Sequence, residues 1–378
     1  MKNSLEAYWF SKLFALKGKM KRTDFAQIQE YYQWKFPFKS LHIVGTNGKG
    51  TIGFFLNQEL VSQKLNVGYF SSPHLVDPCE RIRINHWKIE TEQIIKYSSS
   101  FQSLFPQINF GFFDLWLLCA LKWFHDCQVD VAIFEAGIGA AEDIVNYLNH
   151  QITIFGTISL DHQAILGSTI EAIARDKAQA IKQTNQIFLN QVLVEKQPQI
   201  FAIFKEQAKK MHNQLQVLQT DNTNFWTSNF TYVKAILKTA FAIEEFKSGF
   251  YLPPGRMQKI VINQQNCLLD VAHNLEAVAA VLQFLKQEKQ VFEQVVLSLS
   301  ADKDHQAILA LIEAHFETIW LYENQGRKPL KLRHYEPTKP VGKVYNLEQW
   351  LKKLAKPTLF IGSFYLAGEV LKLLNYEF

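Results

Sequence analysis

Cysteine is scarce and scattered in this chain of 378 residues. The four cysteines, Cys79, Cys119, Cys127 and Cys267, form no CxxC pair and no tight cluster. A disulfide framework or a structural zinc site needs cysteines at closer, regular spacing. The sequence therefore predicts reduced thiols, which are typical of a cytoplasmic protein.

Long hydrophobic runs are also absent. The most apolar stretch, residues 112–124, is interrupted by Asp114 and Lys122. It is shorter than the roughly 20 apolar residues that span a bilayer. Residues 1–10 contain Lys2 and Glu6 and have no continuous apolar core, so they do not resemble a signal peptide. We expect no membrane partner and a cytoplasmic location.

The charge balance does not indicate a nucleic-acid-binding protein. The net charge of +5 is modest for this length. The densest basic runs, residues 17–22 and 327–333, lack the interleaved aromatic residues on which single-stranded bases stack. The NKxD motif with which a switch GTPase reads guanine is missing as well. We therefore expect small-molecule substrates, and nothing in the sequence demands more than a monomer.

Strand and helix patterns alternate along almost the whole chain. Apolar runs of buried-strand length alternate with amphipathic segments, which predicts an α/β fold with parallel-rich sheets covered on both faces. The expected strands are residues 40–44, 129–134, 152–158, 267–271, 294–299, 318–322 and 358–361. The expected helices are residues 51–63, 115–124, 169–181, 274–286, 304–314 and 363–374.

A single interruption of this alternation predicts the domain boundary. Residues 247–256 read KSGFYLPPGR, and the glycine and paired prolines are incompatible with a helix. We therefore predict a first domain over residues 1–248, a linker over 249–256 and a second domain over 257–378.

The clearest chemical motif is a glycine-rich turn between a strand and a helix. Glycines let backbone N–H groups face a phosphate, which the start of a helix also attracts. Lys49 would add a positive charge and Thr51 a hydroxyl group near the phosphates or their magnesium ion. The motif comprises Gly45, Thr46, Asn47, Gly48, Lys49, Gly50 and Thr51. It departs from the common GxxxxGK[ST] because a glycine separates the lysine from the hydroxyl residue.

This turn and several later motifs resemble the folylpolyglutamate synthase/dihydrofolate synthase family of the Mur ligase superfamily. The similar segments occur in the family's order from about residue 5 to the C-terminus. They are GTNGKGT at 45–51, SSPHL at 71–75, ERIRIN at 80–85, FEAGIG at 134–139, SLDH at 159–162, IARDKA at 173–178, PGR at 254–256, LDVAHN at 269–274, ADKD at 301–304 and GSFYL at 362–366.

The resemblance implies a fold and an activity. The fold is a phosphate-loop domain of the Mur-ligase central type, followed by a smaller Rossmann-like α/β domain. The activity is ATP-dependent ligation of L-glutamate to the γ-carboxylate of a (tetrahydro)folate through an acyl phosphate, with dihydrofolate synthase activity open on the same chain. The alternatives are another amide ligase of the superfamily and a degenerate nucleotide-binding regulator.

The resemblance also implies two magnesium ions and their ligands. Glu135 fits this role on its own residue chemistry, because it ends a buried strand and magnesium prefers oxygen ligands. By the same chemistry Asp161 would rank above His162, but the resemblance implies His162, together with Ser72. It further implies that Lys177 is carbamylated and so helps to hold the second ion. Lys49, Glu135, His162 and Lys177 are the expected catalytic residues.

The remaining expected contacts concern the three substrates. For ATP they are Asn229, Arg256 and Asp270; for the incoming glutamate, His273, Asp302 and Ser363; for the folate, Phe112, Phe113, Asp114 and Arg81. Alternation along a strand would place Arg81 and Arg83 on one side of it.

One turn departs from the family pattern. Residues 137–146 read GIGAAEDIVN, whereas the family usually has GLGGRxDATN. Asp143 and Asn146 are kept, but the arginine and the second glycine are missing. This difference motivates the alternative of a regulator that binds ATP without forming product.

Overall fold

The protein, in a computed structural model, consists of two α/β units. The structure describes residues 9–183, 185–221, 223–326 and 328–376. Residues 1–8 and 377–378, at the outer ends of the two predicted domains, lie outside the described part. An eight-stranded sheet belongs to the first unit and a six-stranded sheet to the second. The predicted α/β class with parallel-rich sheets is confirmed.

The first sheet has the order β4-β3-β2-β5-β1-β6-β7-β8. The six neighbouring strands β2, β5, β1, β6, β7 and β8 are parallel to one another. At one edge, β3 is antiparallel to β2, and β4 is antiparallel to β3. The strands are β1 (Lys39–Val44), β2 (Val67–Phe70), β3 (Ile82–Ile84), β4 (Trp87–Lys88), β5 (Val131–Glu135), β6 (Ile152–Phe155), β7 (Gln186–Asn190) and β8 (Leu215–Leu218).

Helices cover both faces of this sheet because its central strands are apolar on both sides. On β1, Leu41 and Ile43 pack with helices α2 and α9, whereas Val44 packs with α6 and α8 on the other face. The helices are α1 (Arg22–Tyr31), α2 (Lys49–Ser62), α3 (Thr91–Leu104), α4 (Phe112–Asp126), α5 (Gln163–Leu166), α6 (Ile170–Lys177), α7 (Gln191–Lys196), α8 (Pro198–Lys210) and α9 (Phe225–Phe241). Such two-sided burial is what buried parallel strands require.

The second sheet has the order β13-β12-β11-β14-β10-β9, with only the β9–β10 pair antiparallel. Helices α10 and α11 cover one face, and α12 and α13 cover the other. The strands are β9 (Gln258–Ile262), β10 (Gln265–Asp270), β11 (Gln294–Leu297), β12 (Thr318–Tyr322), β13 (Gly342–Val344) and β14 (Thr358–Ile361). The helices are α10 (Leu275–Gln287), α11 (His305–Glu313), α12 (Leu347–Lys352) and α13 (Phe364–Leu373).

None of the helices in the described ranges has both the length and the apolarity that crossing a membrane requires.

A glycine on α13 allows the two units to approach closely. A Cβ atom at Gly368 would lie 2.0 Å from the Leu75 carbonyl oxygen of the first unit. Leu75 and Val76 pack against the apolar cluster that contains α13. A larger residue at position 368 must therefore push the helix and the segment at Leu75 apart.

We expect Gly368→Ala to lower the free energy of unfolding by about 1–3 kcal/mol, the usual cost of overpacking. Chemical denaturation of the whole chain would measure the change. Lys372→Ala, on the exposed side of the same helix, is the matched control and should change it by less than about 0.5 kcal/mol. Equal stability of the two variants would contradict the close packing at Gly368.

Candidate functional site

The motifs found in the sequence meet at the carboxyl ends of neighbouring parallel strands. Strand β1 leads into the turn of residues 45–51, β5 ends at Glu135 and β6 leads to Asp161 and His162. Both β5 and β6 pair directly with β1, and ligands of open α/β sheets bind at this edge. A cleft of about 1010 Å³ lies there, between the two units, and all the predicted site residues line it.

The glycine-rich turn has the geometry of a phosphate loop. Gly48 has a φ of 89° and precedes the first residue of α2, a conformation that favours glycine. The Lys49 Nζ atom donates to the carbonyl oxygens of Gly45 and Thr46, at 3.0 and 3.3 Å. The lysine therefore lies across the turn, next to the backbone N–H groups at the start of the helix, where an anion is favoured.

Glu135 is a buried carboxylate beside this turn, with 4% of its surface exposed. The backbone N–H of Ser72 donates to its Oε2 atom at 3.2 Å. Burial raises the pKa of Glu135, and the positive charges of Lys49 and Arg256 oppose that shift. Glu135 thus places a carboxyl group where cations gather, as a metal-binding residue must.

Lys177 approaches the same turn from the end of α6. It is 4% exposed, and its Nζ atom donates to the Gly45 carbonyl oxygen at 3.1 Å. Lys49 contacts the same carbonyl, so two ammonium groups crowd around one oxygen atom. Burial and then the charge of Lys49 lower the pKa of Lys177 to about 7.

Asp161 and His162 lie in the loop after β6. The Asp161 Oδ1 atom accepts from the backbone N–H of His162 at 2.8 Å and from Lys303 Nζ of the second unit at 2.5 Å. His162 has a φ of 50°, a left-handed conformation uncommon outside glycine. Burial lowers the pKa of His162 to about 4, so its imidazole is neutral near pH 7 and able to bind a metal ion.

The second unit contributes an arginine and a carboxylate to the cleft. Asp270 ends β10, and its carboxylate accepts from the backbone N–H groups of Met257 and Ala272, both at 2.8 Å. Its negative charge opposes the lowering of the Arg256 pKa by burial. The Arg256 guanidinium lies over the Phe364 ring, 5.2 Å from its centroid. Both residues thus face the phosphate loop from the opposite wall.

The predicted nucleotide and glutamate contacts lie around these groups. Asn229 is 3% exposed, lies beside Gly48, and its Nδ2 atom has no hydrogen-bond partner. His273 Nε2 lies 3.7 Å from Asp161 Oδ2, and Asp302 Oδ2 lies 3.9 Å from His162 Nδ1. The hydroxyl of Ser363 accepts from the Tyr365 N–H at the start of α13. A buried amide donor without a partner costs free energy, and a ligand at this wall would satisfy it.

No family model matches the chain. The folylpolyglutamate synthase of Lacticaseibacillus casei is 25% identical over 389 residues, which cover 87% of this chain and 88% of that protein. The chain is thus similar, over most of its length, to folylpolyglutamate synthases and dihydrofolate synthases.

Solved structures of such synthases share the whole fold. The Escherichia coli FolC structure in complex with DHPP and ADP has a TM-score of 0.83 and 22% identity, over 98% of this chain and 97% of that one. The bifunctional synthase from Yersinia pestis, complexed with AMPPNP and a manganese ion, has a TM-score of 0.83 and 22% identity, over 98% of each chain.

The donor set in the cleft fits a divalent metal ion that binds together with a nucleotide. Within the described ranges, no group of three or more His, Cys, Asp and Glu side chains is arranged to hold a metal ion. Ser72, Glu135, His162 and Lys177 instead lie around the phosphate loop in the cleft. Magnesium normally keeps several waters and takes phosphate oxygens as ligands. A few protein ligands beside the phosphates are therefore enough.

The expected folate end of the cleft lies near the start of α4. Phe112 and Phe113 both line it, and Phe112 stacks on Phe14 at a centroid distance of 4.6 Å. The Asp114 Oδ2 atom accepts from the backbone N–H groups of Met20 and Gly111, each at 2.7 Å. The Asp114 carboxylate therefore fixes the backbone at Met20, which forms part of the cleft wall.

The expectation for Arg81 is partly wrong. Arg81 closes a 3-10 turn, Pro78–Arg81, whereas Arg83 lies on β3, so the two do not share a strand face. The turn forms because Asp77 and Glu80 cap it from their side chains. Arg81 still lines the cleft: its Nε atom donates to His74 Nδ1 at 2.9 Å, and its guanidinium lies over the Phe112 ring.

Three polar residues of the second unit were missed by the sequence reasoning. Lys303 pairs with Asp161, and Asn274 and Glu276 hydrogen-bond with Asn47 of the phosphate loop, at 2.8 Å and 2.9 Å. Lys303 and Asn274 belong to the motifs ADKD and LDVAHN, so a signal for these two was present. Glu276 carried no such signal, because its contact depends on how the two units face each other.

Proposed function

We propose that the protein joins L-glutamate to the γ-carboxylate of a reduced folate at the cost of ATP. The observation that carries the proposal is the convergence, in one cleft, of the phosphate loop, the buried carboxylate of Glu135 and the cationic wall at Arg256. This chemistry needs such an arrangement, because an anionic carboxylate must attack an anionic phosphate. Similarity to folylpolyglutamate synthases and dihydrofolate synthases over most of the chain supports the same assignment.

The reaction has two steps. The folate γ-carboxylate attacks the γ-phosphorus of ATP, which forms an acyl phosphate and releases ADP. The glutamate amine then attacks the acyl carbon, and phosphate leaves as the amide bond forms. Lys49 and Arg256 would hold the phosphate oxygens in line for the first step, since fixed cations favour the charge that develops there. Closure of the second unit would keep water from the acyl phosphate.

The three substrates would occupy distinct walls of the cleft. Asn229 and Asp270 would bind the nucleotide, and His273, Asp302 and Ser363 the incoming glutamate. Phe112, Phe113, Asp114 and Arg81 would bind the folate. The aromatic rings support this last role, because a flat heterocycle stacks on such rings. The cleft is built by one chain, which supports a monomer. The four cysteines of the chain are free thiols, which supports a cytoplasmic location.

Two magnesium ions would be held by Ser72, Glu135, His162 and a carbamylated Lys177. When bound, they would neutralise phosphate charge. The carbamate rests on the placement of Lys177: its amine is buried against the phosphate loop beside Lys49, where a second positive charge is unfavourable. A carbamate at Nζ turns this repulsive group into an anion.

Mass spectrometry of the products would test the activity. Purified protein is incubated with ATP, magnesium, glutamate and either tetrahydrofolate or dihydropteroate. We expect tetrahydrofolate to gain one glutamyl unit. A gain on dihydropteroate would add dihydrofolate synthase activity. ATP binding without product from either pterin would overturn the proposal in favour of the regulator.

A further inference from the structure

The ion pair between Lys303 and Asp161 connects the two units inside the cleft. Lys303 Nζ lies 2.5 Å from Asp161 Oδ1, and both side chains are only 7% exposed. Asp302 and His273 also face the pair: Lys303 Nζ is 4.0 Å from Asp302 Oδ2, and His273 Nε2 is 3.7 Å from Asp161 Oδ2. Removing one partner of such a pair leaves an uncompensated buried charge.

Asp161 transmits this contact to its neighbour in the chain. The Oδ1 atom that Lys303 contacts also accepts from the backbone N–H of His162 at 2.8 Å. That hydrogen bond helps to hold His162 in its left-handed conformation, with a φ of 50°. The backbone at Lys303 is itself fixed, because the Lys303 N–H donates to the Ser300 carbonyl and the Ala301 N–H to the Lys328 carbonyl.

Both ends of the predicted linker are anchored, each to its own unit. Glu59 on α2 accepts from the N–H groups of Lys247 and Ser248, at 3.1 and 2.9 Å. At the other end, Asp270 holds the Met257 N–H. A rotation between the units is therefore confined to the chain between these anchors, and such a rotation would break or remake the Lys303–Asp161 pair.

We propose that Lys303 is a positioning residue that places His162 only when the second unit closes over the cleft. The expected effect of Lys303 on glutamyl transfer rests on the proposed function, whereas its effect on the placement of His162 does not. In the closed state the ammonium holds Asp161, and Asp161 holds the backbone of His162. In an open state the pair is lost, so His162 is released and water reaches the cleft. Lys303 thus links closure to the assembly of the site.

Lys303→Met, which keeps the side-chain length and removes the charge, tests the proposal. We expect kcat for glutamyl transfer to fall by about tenfold or more. Phosphate release should exceed one per glutamyl product, because the acyl phosphate meets water. Lys303→Arg should recover part of the loss. Lys331→Met breaks an exposed pair of the same 2.5 Å length within the second unit and should change none of these values.

A double variant separates action through Asp161 from direct contact with substrate. If Lys303 acts through Asp161, Asp161→Asn combined with Lys303→Met is no worse than the poorer single variant, since partners in one network are not additive. The proposal would be overturned if the losses of activity in the two single variants were additive. It would also be overturned if Lys303→Met released the same amount of phosphate per glutamyl product as the unmodified protein. If Lys303→Met does not fold, Lys303→Gln is judged by the same criteria.

Small-angle scattering provides a readout that does not need activity. With a non-hydrolysable ATP analogue and magnesium, the radius of gyration of the unmodified protein should fall, whereas that of Lys303→Met should stay at its ligand-free value. Absence of glutamyl product from the unmodified protein would refute the proposed function alone. Equal compaction of both proteins would refute the role of Lys303.

Discussion

Replacing Lys49 with methionine is expected to lower glutamyl transfer by about a thousandfold, the scale on which removal of a phosphate-binding cation acts in phosphoryl transfer. The Nζ atom of Lys49 lies across the phosphate loop on the carbonyls of Gly45 and Thr46. Methionine keeps the length of the side chain but places no charge beside the phosphate. The developing negative charge of the transition state would then lose a fixed partner.

This loss should occur without loss of folding. Burial lowers the pKa of Lys49, so the folded protein gains nothing from its charge, and Lys49→Met should unfold at the same temperature or higher. Product formation is measured by mass spectrometry, and folding by calorimetry. Lys205→Met, on the exposed side of α8, is the control for an exchanged lysine. Undiminished glutamate incorporation in Lys49→Met would refute the role of the phosphate loop.

The fold could be predicted from the sequence where apolar runs were long and uninterrupted. Strands Thr318–Tyr322 and Thr358–Ile361 have the predicted bounds, because buried parallel strands are apolar along their whole length. Leu215–Leu218 was not predicted. It is an edge strand of only four residues with polar Gln216 in it, and so short a segment has no distinctive period. Val67–Phe70 was also missed, and it contains Gly68, a residue that is depleted in strands.

The candidate site was predictable where chemistry follows directly from a strand end. Glu135 and Asp270 each end a strand, and the glycine-rich turn follows another. The Lys303–Asp161 pair was not predictable, since it joins positions 142 residues apart in the chain through the relative placement of two units. Arg81 was wrongly placed on a strand because the local sequence fits a strand pattern as well as a capped turn. In the structure, Asp77 and Glu80 cap the turn Pro78–Arg81.

Replacing Lys177 with alanine is expected to lower glutamyl transfer by about a hundredfold, and acetate should restore part of the activity. If Lys177 is carbamylated as we propose, the substitution removes an anion as well as an amine, and the space left beside Gly45 would admit a small carboxylate. The recovery should saturate as acetate is raised at constant ionic strength. Lys182→Ala is the matched control: Lys182 is also largely buried, but it donates to the carbonyls of Asn146 and Leu148. Lys182→Ala should lower the free energy of unfolding, and acetate should not reverse that change.

Rescue chemistry decides between an anion and a cation at position 177. If the amine itself acted as an ammonium group, methylammonium would restore the Lys177→Ala protein and acetate would not, and the carbamate would have to be abandoned. In the unmodified protein, carbon dioxide labelled with carbon-13 should give a carbamate signal in the NMR spectrum that Lys177→Ala lacks and Lys182→Ala retains. The low pKa of Lys177, about 7, leaves much of the amine unprotonated near neutral pH, and only the unprotonated amine adds to carbon dioxide. Burial thus favours the loss of the positive charge and leaves an amine that is able to add to carbon dioxide.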